Sequence, residues 1–600
     1  MMPGISTTHL SQGTSLFGKI ICFLFLLLLT QTDLYAGEWF VRPAGGAYGR
    51  EDGTSYKNAW NGLAGIIWGT KGVHPGDTLW ICGLHLHAIR DRYSFGNRAL
   101  KLGSGTSENE RIVLRGDYPN DAGIIWGAGR IEYAQWTDEG NGVWSIPLIA
   151  AIWAGDWIFQ DIGQNGANSH VVLDKADSLS ACRLQSGSHF SPSYKKGSKL
   201  YVHPTDERSP KRRISINWWG YRLEFNRQAY LTFKNISFLN PGRVSLDARL
   251  HHIRWHGCKL IYGMHALIGL HGEHSAIEVI GCELAWAGNG IYTIQQNWQA
   301  GKTEINKTVR DYRFAGNHIH HIGVRPVNWN GDAHAIGIQG GSGGIIEDNL
   351  IENCGTGPGL YAFTHQECKN TVVRRNVVKN LHRLGGATGY GVFTMCNQDS
   401  LSDKTGNIFY QNVVVNAHVG YRFQFEDKQR VFHNMAINCN IGFESTRGYK
   451  GNGANVELKN NIFYNSKECH VKWTGAAEQF TIDFDHNIYY PDEHDKFWLI
   501  LKRDVKGCSI VIENRKSNFK EWQRHRVKGC RFDPNSLSRD PQLLYLNTFR
   551  IDTSNLVLSD RSPVIDAGIP VGINEDFYGH KIIGIPDIGP FEFQKIDTNK

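Results

Sequence analysis

One short pattern recurs down the middle of this chain and limits its fold more than anything else in it. KNISF, GCKLI, GCELA, GNHIH, DNLIEN, RNVVKN, QNVVVN, HNMAIN, NNIFYN and HNIYY each set an Asn or Cys just before an apolar run. The key residues are Asn235, Cys258, Cys282, Asn317, Asn349, Asn376, Asn412, Asn434, Asn461 and Asn487, spaced by 23, 24, 35, 32, 27, 36, 22, 27 and 26 residues. That is the period of a solenoid with loop insertions rather than of independent domains. Five consecutive units add a second Asn four residues on, at Asn353, Asn380, Asn416, Asn438 and Asn465. Asn tolerates left-handed backbone and bonds neighbouring backbone groups, so it can form the bend of a coil while its amide bonds the Asn of the next coil. Cys258 and Cys282 then read as small buried stacking residues rather than as a disulfide.

Each unit supplies two or three short strands, too brief and too interrupted by glycine for helices. Stacked in parallel about 4.8 Å apart, such strands pair every backbone group with the coils above and below. The expected fold is all-β, a single-stranded right-handed parallel β-helix. Composition agrees: 67 Gly, 12% aromatic and 20% charged residues suit a turn-rich β protein. The opening WFVRPAGGAYGREDGTSYKNAWNGL with PGDTLWICG, and the close FKEWQRHR, FRIDTSNLVLSDRSPVIDAG and PDIGPFEF, resemble the ends of secreted bacterial β-helix proteins of the pectate-lyase-like superfamily. The resemblance implies a carbohydrate-active protein. It does not choose among the lyases, hydrolases, epimerases and non-catalytic surface proteins that share the fold.

Residues 1–36 read as a signal peptide: Lys19, the apolar run IICFLFLLLL, then a polar stretch ending at Ala36 and Gly37. Ten apolar residues are short for a membrane span, which needs about 20. The expected organisation continues with an N-terminal cap and early coils over 37–230, regular coils over 231–490, a charged and partly helical insertion over 491–540 and closing strands over 541–600. Export leaves eleven of the twelve cysteines, since Cys22 departs with the leader. Cys508 and Cys530 are the expected pair if a disulfide forms. The formal charge of +7 suits an acidic polysaccharide and does not by itself call for nucleic acid. A secreted, periplasmic or extracellular monomer with no membrane contact after cleavage is expected.

Chemistry is expected where long loops rise from successive coils and wall a groove. The long spacings fall between Cys282 and Asn412 and carry QQNWQAGKTEINKTVRD, RPVNWNGDAHAIG and HRLGGATGYGVFTMCNQDSLSDKTG. Trp298, Trp329, Tyr361 and Tyr390 offer flat rings for sugar faces. In LYAFTHQ, alternation would place Tyr361, Phe363 and His365 toward the groove. In GYRFQFED it sets Tyr421, Phe423 and Phe425 opposite Arg422, Gln424 and Glu426. Arg422 and Glu444 each lie ten residues past a ladder Asn, so they are expected to be neighbours on adjacent coils, where a plain ion pair is the competing reading.

Three reactions fit such a groove. β-Elimination of a uronan needs a base, for which His334, His365 and Tyr361 are candidates, and a cation to neutralise the substrate carboxylate, for which Arg422 and Arg325 are candidates. Hydrolysis needs two carboxyl groups, drawn from Asp332, Glu426 and Glu444. Epimerisation shares the first step of elimination; Asp332 and His334 are faintly similar to the Asp-Pro-His element of uronan C5-epimerases, with Ala333 in place of the proline. Gln339 and Gln424 are further substrate-binding candidates. The competing reading has Asp332 holding an Asx-turn, with His334 on a backbone carbonyl. No metal ligand set is expected; calcium at acidic loops such as Asp348 or Asp427 is the one cofactor alternative, without a dense oxygen-ligand motif behind it. The reading is a polysaccharide lyase on an acidic glycan, with a glycoside hydrolase and a non-catalytic glycan-binding surface protein as alternatives.

Overall fold

The computed structural model describes residues 36–594 apart from internal stretches, the longest being 90–97, 294–308, 324–332, 396–405, 447–455 and 545–555. The chain winds as a right-handed parallel β-helix with three long sheets. A single coil runs Arg313–Ala315 in the first sheet, His318–Ile322 in the second and Ala333–Gln339 in the third. The next coil repeats this with Ile345–Glu347, Leu350–Glu352 and Gly359–Gln366, paired in parallel one above the other. Inward residues such as Phe233, Trp255, Val279, Phe314 and Phe443 form one continuous core along the axis.

The corner between the first and second sheets explains the repeat. Asn317 Nδ2 donates to Asn349 Oδ1 at 2.9 Å, and the same amide bond links Asn349 to Asn376 (2.8 Å), Asn376 to Asn412 (2.9 Å), Asn412 to Asn434 (2.9 Å), Asn434 to Asn461 (3.1 Å) and Asn461 to Asn487 (3.0 Å). Each amide also donates to a main-chain carbonyl of the preceding coil, as Asn317 does to Val279 at 2.8 Å. Cys258 and Cys282 hold the same place with free thiols that donate to Phe233 and Trp255 carbonyls at 3.4 Å. A thiol is a weak donor, but here it fills the role of the amide.

Two expectations at this corner are corrected. The left-handed residue of the first column is the one before the ladder Asn: Gly316, Asp348, Arg375, Gln411, His433, Asn460 and His486 all have positive φ. Asn235 occupies that bend position (φ 53°) with its amide on Asp117, and buried Ile236 takes the ladder place. The second column behaves as expected: Asn353, Asn380, Asn416, Asn438 and Asn465 are left-handed, and Asn416 bonds Asn380 at 2.9 Å.

Both ends add structure that the repeat does not announce. Within 37–230, a mixed sheet of five short strands between Thr137 and His203 interrupts the early coils and buries its own apolar cluster, including Ile146, Leu173 and Leu200. Within 491–540, the hairpin Phe497–Val505/Cys508–Ser517 extends the third sheet, and the helix Phe519–Arg524, closed by an Asn518/Glu521 capping box, stacks Trp522 on Phe497. This closes the core. Buried Asp533 accepts from Trp522 Nε1 (2.7 Å), Asn487 Nδ2 (3.0 Å) and the Tyr489 hydroxyl (3.0 Å), ending the ladder. The side chains of Cys508 and Cys530 lie outside the described residues. The final segment folds back along the outer face of the second sheet, where Leu556, Val564, Ile588 and Phe591 cover Val413, Val415, Met435 and Ile462.

Candidate active site on the third sheet

The loops singled out by spacing adjoin strands of the third sheet in the chain, and the outer face of that sheet carries the candidates that the structure describes. On the Val419–Gln424 strand, Tyr421 and Phe423 are buried in the core while Arg422 and Gln424 face out, as the alternation requires. Arg422 stands in register with Glu444, and Glu444 with Lys472. Arg422 Nε lies 3.4 Å from one Glu444 oxygen and Lys472 Nζ 2.8 Å from the other. Glu444 is only 5% exposed, and its two cations cover it. The trio carries one net positive charge.

Aromatic rings flank the trio on both sides. The Arg422 guanidinium lies 4.7 Å from the centre of the Tyr390 ring and 5.6 Å from that of Phe393, and its Nη1 donates to the Tyr390 hydroxyl. On the other side Lys472 Nζ is 4.9 Å and Lys516 Nζ 5.0 Å from the centre of the Trp498 ring. Cations over aromatic faces gain roughly 0.5–2 kcal/mol each and are held in place by them. The result is a row of three charged groups closed by aromatic rings at both ends across the strands Thr388–Met395, Val419–Gln424, Ile441–Thr446, Cys469–Ala476 and Phe497–Val505.

The sequence candidates divide accordingly. Tyr390, Arg422 and Glu444 come together; Lys472, Phe393 and Trp498 belong to the same row and were missed, and the ten-residue offset misses Lys472 by one because the coil that starts at Asn461 has one more residue before its third strand. His334 lies in the Ala333–Gln339 strand, stacked on Tyr292 at 4.9 Å between centroids, with its N–H donated to Asn289 Oδ1 at 2.8 Å. The structure does not bring it to Arg422: three strand spacings separate them, about 14 Å. Gln339 is buried in that strand, its N–H on Thr293 Oγ1 at 2.7 Å. Gln424 is part-exposed in the outward column. Asp332, Glu426, Trp298, Trp329, Arg325 and Asp427 lie outside the described residues, as do the side chains of Tyr361 and His365.

The LYAFTHQ strand pairs in register with the next coil, Tyr361 with Tyr390, Phe363 with Val392, Thr364 with Phe393 and His365 with Thr394. On that next coil the strand changes phase between Tyr390, on the outer face, and buried Val392: Gly391, Gly420 and Gly442 stack there, and a Cβ on Gly391 would meet Val414 at 2.5 Å inside the core. The calcium alternative at Asp348 is also corrected, since both its oxygens are taken by Arg375 at 2.7 and 2.9 Å. Among the described residues no group of three or more His, Cys, Asp or Glu is arranged to hold a metal ion.

Neither protein-family models nor curated protein sequences give a match. Solved structures do. XylC in complex with xylose is 12% identical, covering 93% of this chain and 98% of its own, at a TM-score of 0.51. A glycoside hydrolase covers 72% of this chain and 96% of its own at 10% identity and TM-score 0.46. Pectate lyase Pel9A covers 93% and 97% at 11% identity and TM-score 0.38. The likeness to XylC agrees with the parallel β-helix fold seen in the sheets. Among the described residues no helix is long and apolar enough to cross a membrane.

Proposed function

We propose that the protein is an exported polysaccharide lyase that binds an acidic glycan along the outer face of the third sheet and cleaves it by β-elimination. The observation that carries this reading is the in-register row Arg422–Glu444–Lys472, a cationic strip between the rings of Tyr390 and Trp498. A uronan presents flat apolar ring faces and carboxylates at regular intervals, and this row offers both complements.

In the reaction, Arg422 and Lys472 would hold the carboxylate of the bound uronate and stabilise the negative charge that develops when the neighbouring carbon loses its proton. Tyr390, whose hydroxyl oxygen already accepts from Arg422, is the acid/base group closest to that point. The electron pair released from the carbon–hydrogen bond forms the new double bond as the glycosidic oxygen leaves from the adjacent carbon. Glu444 sets the spacing of the two cations rather than reacting. With both oxygens in ion pairs it is poorly suited to be one of the two carboxyl groups of a hydrolase.

The test is incubation of the full chain with polygalacturonate, alginate, glucuronan and a neutral xylan. Ultraviolet absorbance from an unsaturated uronate product supports elimination. Reducing ends without that absorbance would assign hydrolysis instead, and tight binding without products would leave a glycan-binding surface protein.

A further inference from the structure

The outer face of the first sheet holds a cavity of about 440 Å³ that the third-sheet chemistry does not use. That size lies within the range of roughly 300–1,000 Å³ common for small-molecule sites. Its floor is apolar: Ile345, Val372 and Ile408 are register partners on three successive coils, each part-exposed. At about 4.8 Å per strand they make a strip about 10 Å long, the length of two sugar rings.

One wall is cationic. Arg374, in the same outward direction two residues past Val372, donates to Glu347 and to the Tyr410 hydroxyl, both at 2.8 Å. Arg375 beside it bonds Asp348 through Nε and Nη2. Behind this wall Arg313, Arg374 and Arg375 share Glu347 and Asp348, a cluster with one net positive charge, while Glu575 lines the cavity on its other side.

The opposite wall is the turn Gly572–Glu575 of the returning C-terminal segment. It is anchored by the bend residues of consecutive coils. Gln411 Nε2 donates to the Glu575 carbonyl, Asn460 holds Ile569 through both amide atoms at 2.7 and 2.9 Å, and His433 Nδ1 donates to the Gly589 carbonyl at 2.9 Å. A wall fixed in advance lowers the ordering cost of binding.

We infer that this cavity is a second glycan site, holding one or two uronate units with their carbon–hydrogen faces on Ile345, Val372 and Ile408 and a carboxylate on the arginine wall. Asn574 and the Tyr410 hydroxyl supply hydrogen bonds to ring hydroxyls. The site does not depend on the third-sheet reading, because it shares no residue with it.

The test is calorimetric titration of the full chain with digalacturonate and with neutral cellobiose. Val372→Trp fills the cavity from its floor on the outside of the sheet, and Asn574→Trp fills it from an exposed turn that the coils do not need for folding. In the Arg422→Ala background, which removes the third-sheet site, digalacturonate binding should persist, weaken by about tenfold or more when either filling substitution is added, and exceed cellobiose binding by a similar factor. No binding in that background, or binding that both filling substitutions leave intact there, would overturn the site. Equal affinity for cellobiose would overturn the uronate assignment.

Discussion

Replacing Asn412 with Leu tests whether the Asn column holds the coils together or merely accompanies them. Asn412 is buried, with Nδ2 donating to Asn434 Oδ1 and the Val373 carbonyl at 2.9 Å and to the Tyr410 carbonyl at 3.1 Å. Its Oδ1 accepts from Asn376 N at 3.1 Å and from Asn376 Nδ2 at 2.9 Å. Leu has a similar volume and makes none of these bonds. Asn376 Nδ2 keeps the Ile346 and Arg374 carbonyls and Asn434 Oδ1 keeps the N–H of residue 412, but Asn376 N–H loses its acceptor and two carbonyls each lose a donor. The Tyr410 carbonyl keeps the Arg375 N–H, so with about 1–3 kcal/mol for the stranded N–H and about 0.5–1.5 kcal/mol for each carbonyl bond lost, the expected loss is about 2–6 kcal/mol. Asn412→Cys should cost less, because Cys258 and Cys282 already fill this place. Asn235→Gly is the control: an exposed left-handed position outside the ladder, expected to change stability by less than about 1 kcal/mol. Guanidinium unfolding followed by circular dichroism measures all three. An Asn412→Leu midpoint as close to wild type as that of Asn235→Gly would refute the structural role of the ladder.

Acid should loosen the C-terminal clasp. Burial holds His433 down to about 4, below its ordinary value, so between that point and about 6.5 the unfolded chain takes up a proton that the folded chain refuses. Stability is therefore complete above about pH 6.5 and falls as pH drops toward 4, by at most about 3 kcal/mol from this residue. Denaturation at pH 7 and pH 5 should show the loss, and His433→Gln should reduce it. Truncation after residue 540 uncovers Val413, Val415, Met435 and Ile462 on the second sheet, and size-exclusion chromatography should then find association. The thiols of Cys258 and Cys282, buried and hydrogen-bonded, should resist alkylation in the native protein and react on unfolding, as read by peptide mapping.

The middle of the fold was legible because a β-helix repeats one corner many times, and each repetition of Asn before an apolar run adds to the same inference. The inserted mixed sheet of 137–203 and the returning C-terminal segment occur once each, so no period announces them. At the site, Arg422 and Glu444 were placed as neighbours by counting from Asn412 and Asn434, and the structure pairs them. Alternation alone is a weaker guide, because it assumes an unbroken strand and the phase changes at Gly391 between Tyr390 and Val392. His334 drew notice as half of a D-x-H pair, but proximity in sequence says nothing about the two coils between it and Arg422.

The central claim is that an acidic glycan lies across the strands bearing Tyr390, Arg422, Glu444, Lys472 and Trp498. Hydrogen exchange of the full chain, with and without the uronan that it binds best, addresses it directly. The account predicts new protection in peptides covering residues 388–395, 419–424, 441–446 and 469–476, lost in the Arg422→Ala, Lys472→Ala double variant. Protection confined to other faces, or unchanged in that variant, would contradict it.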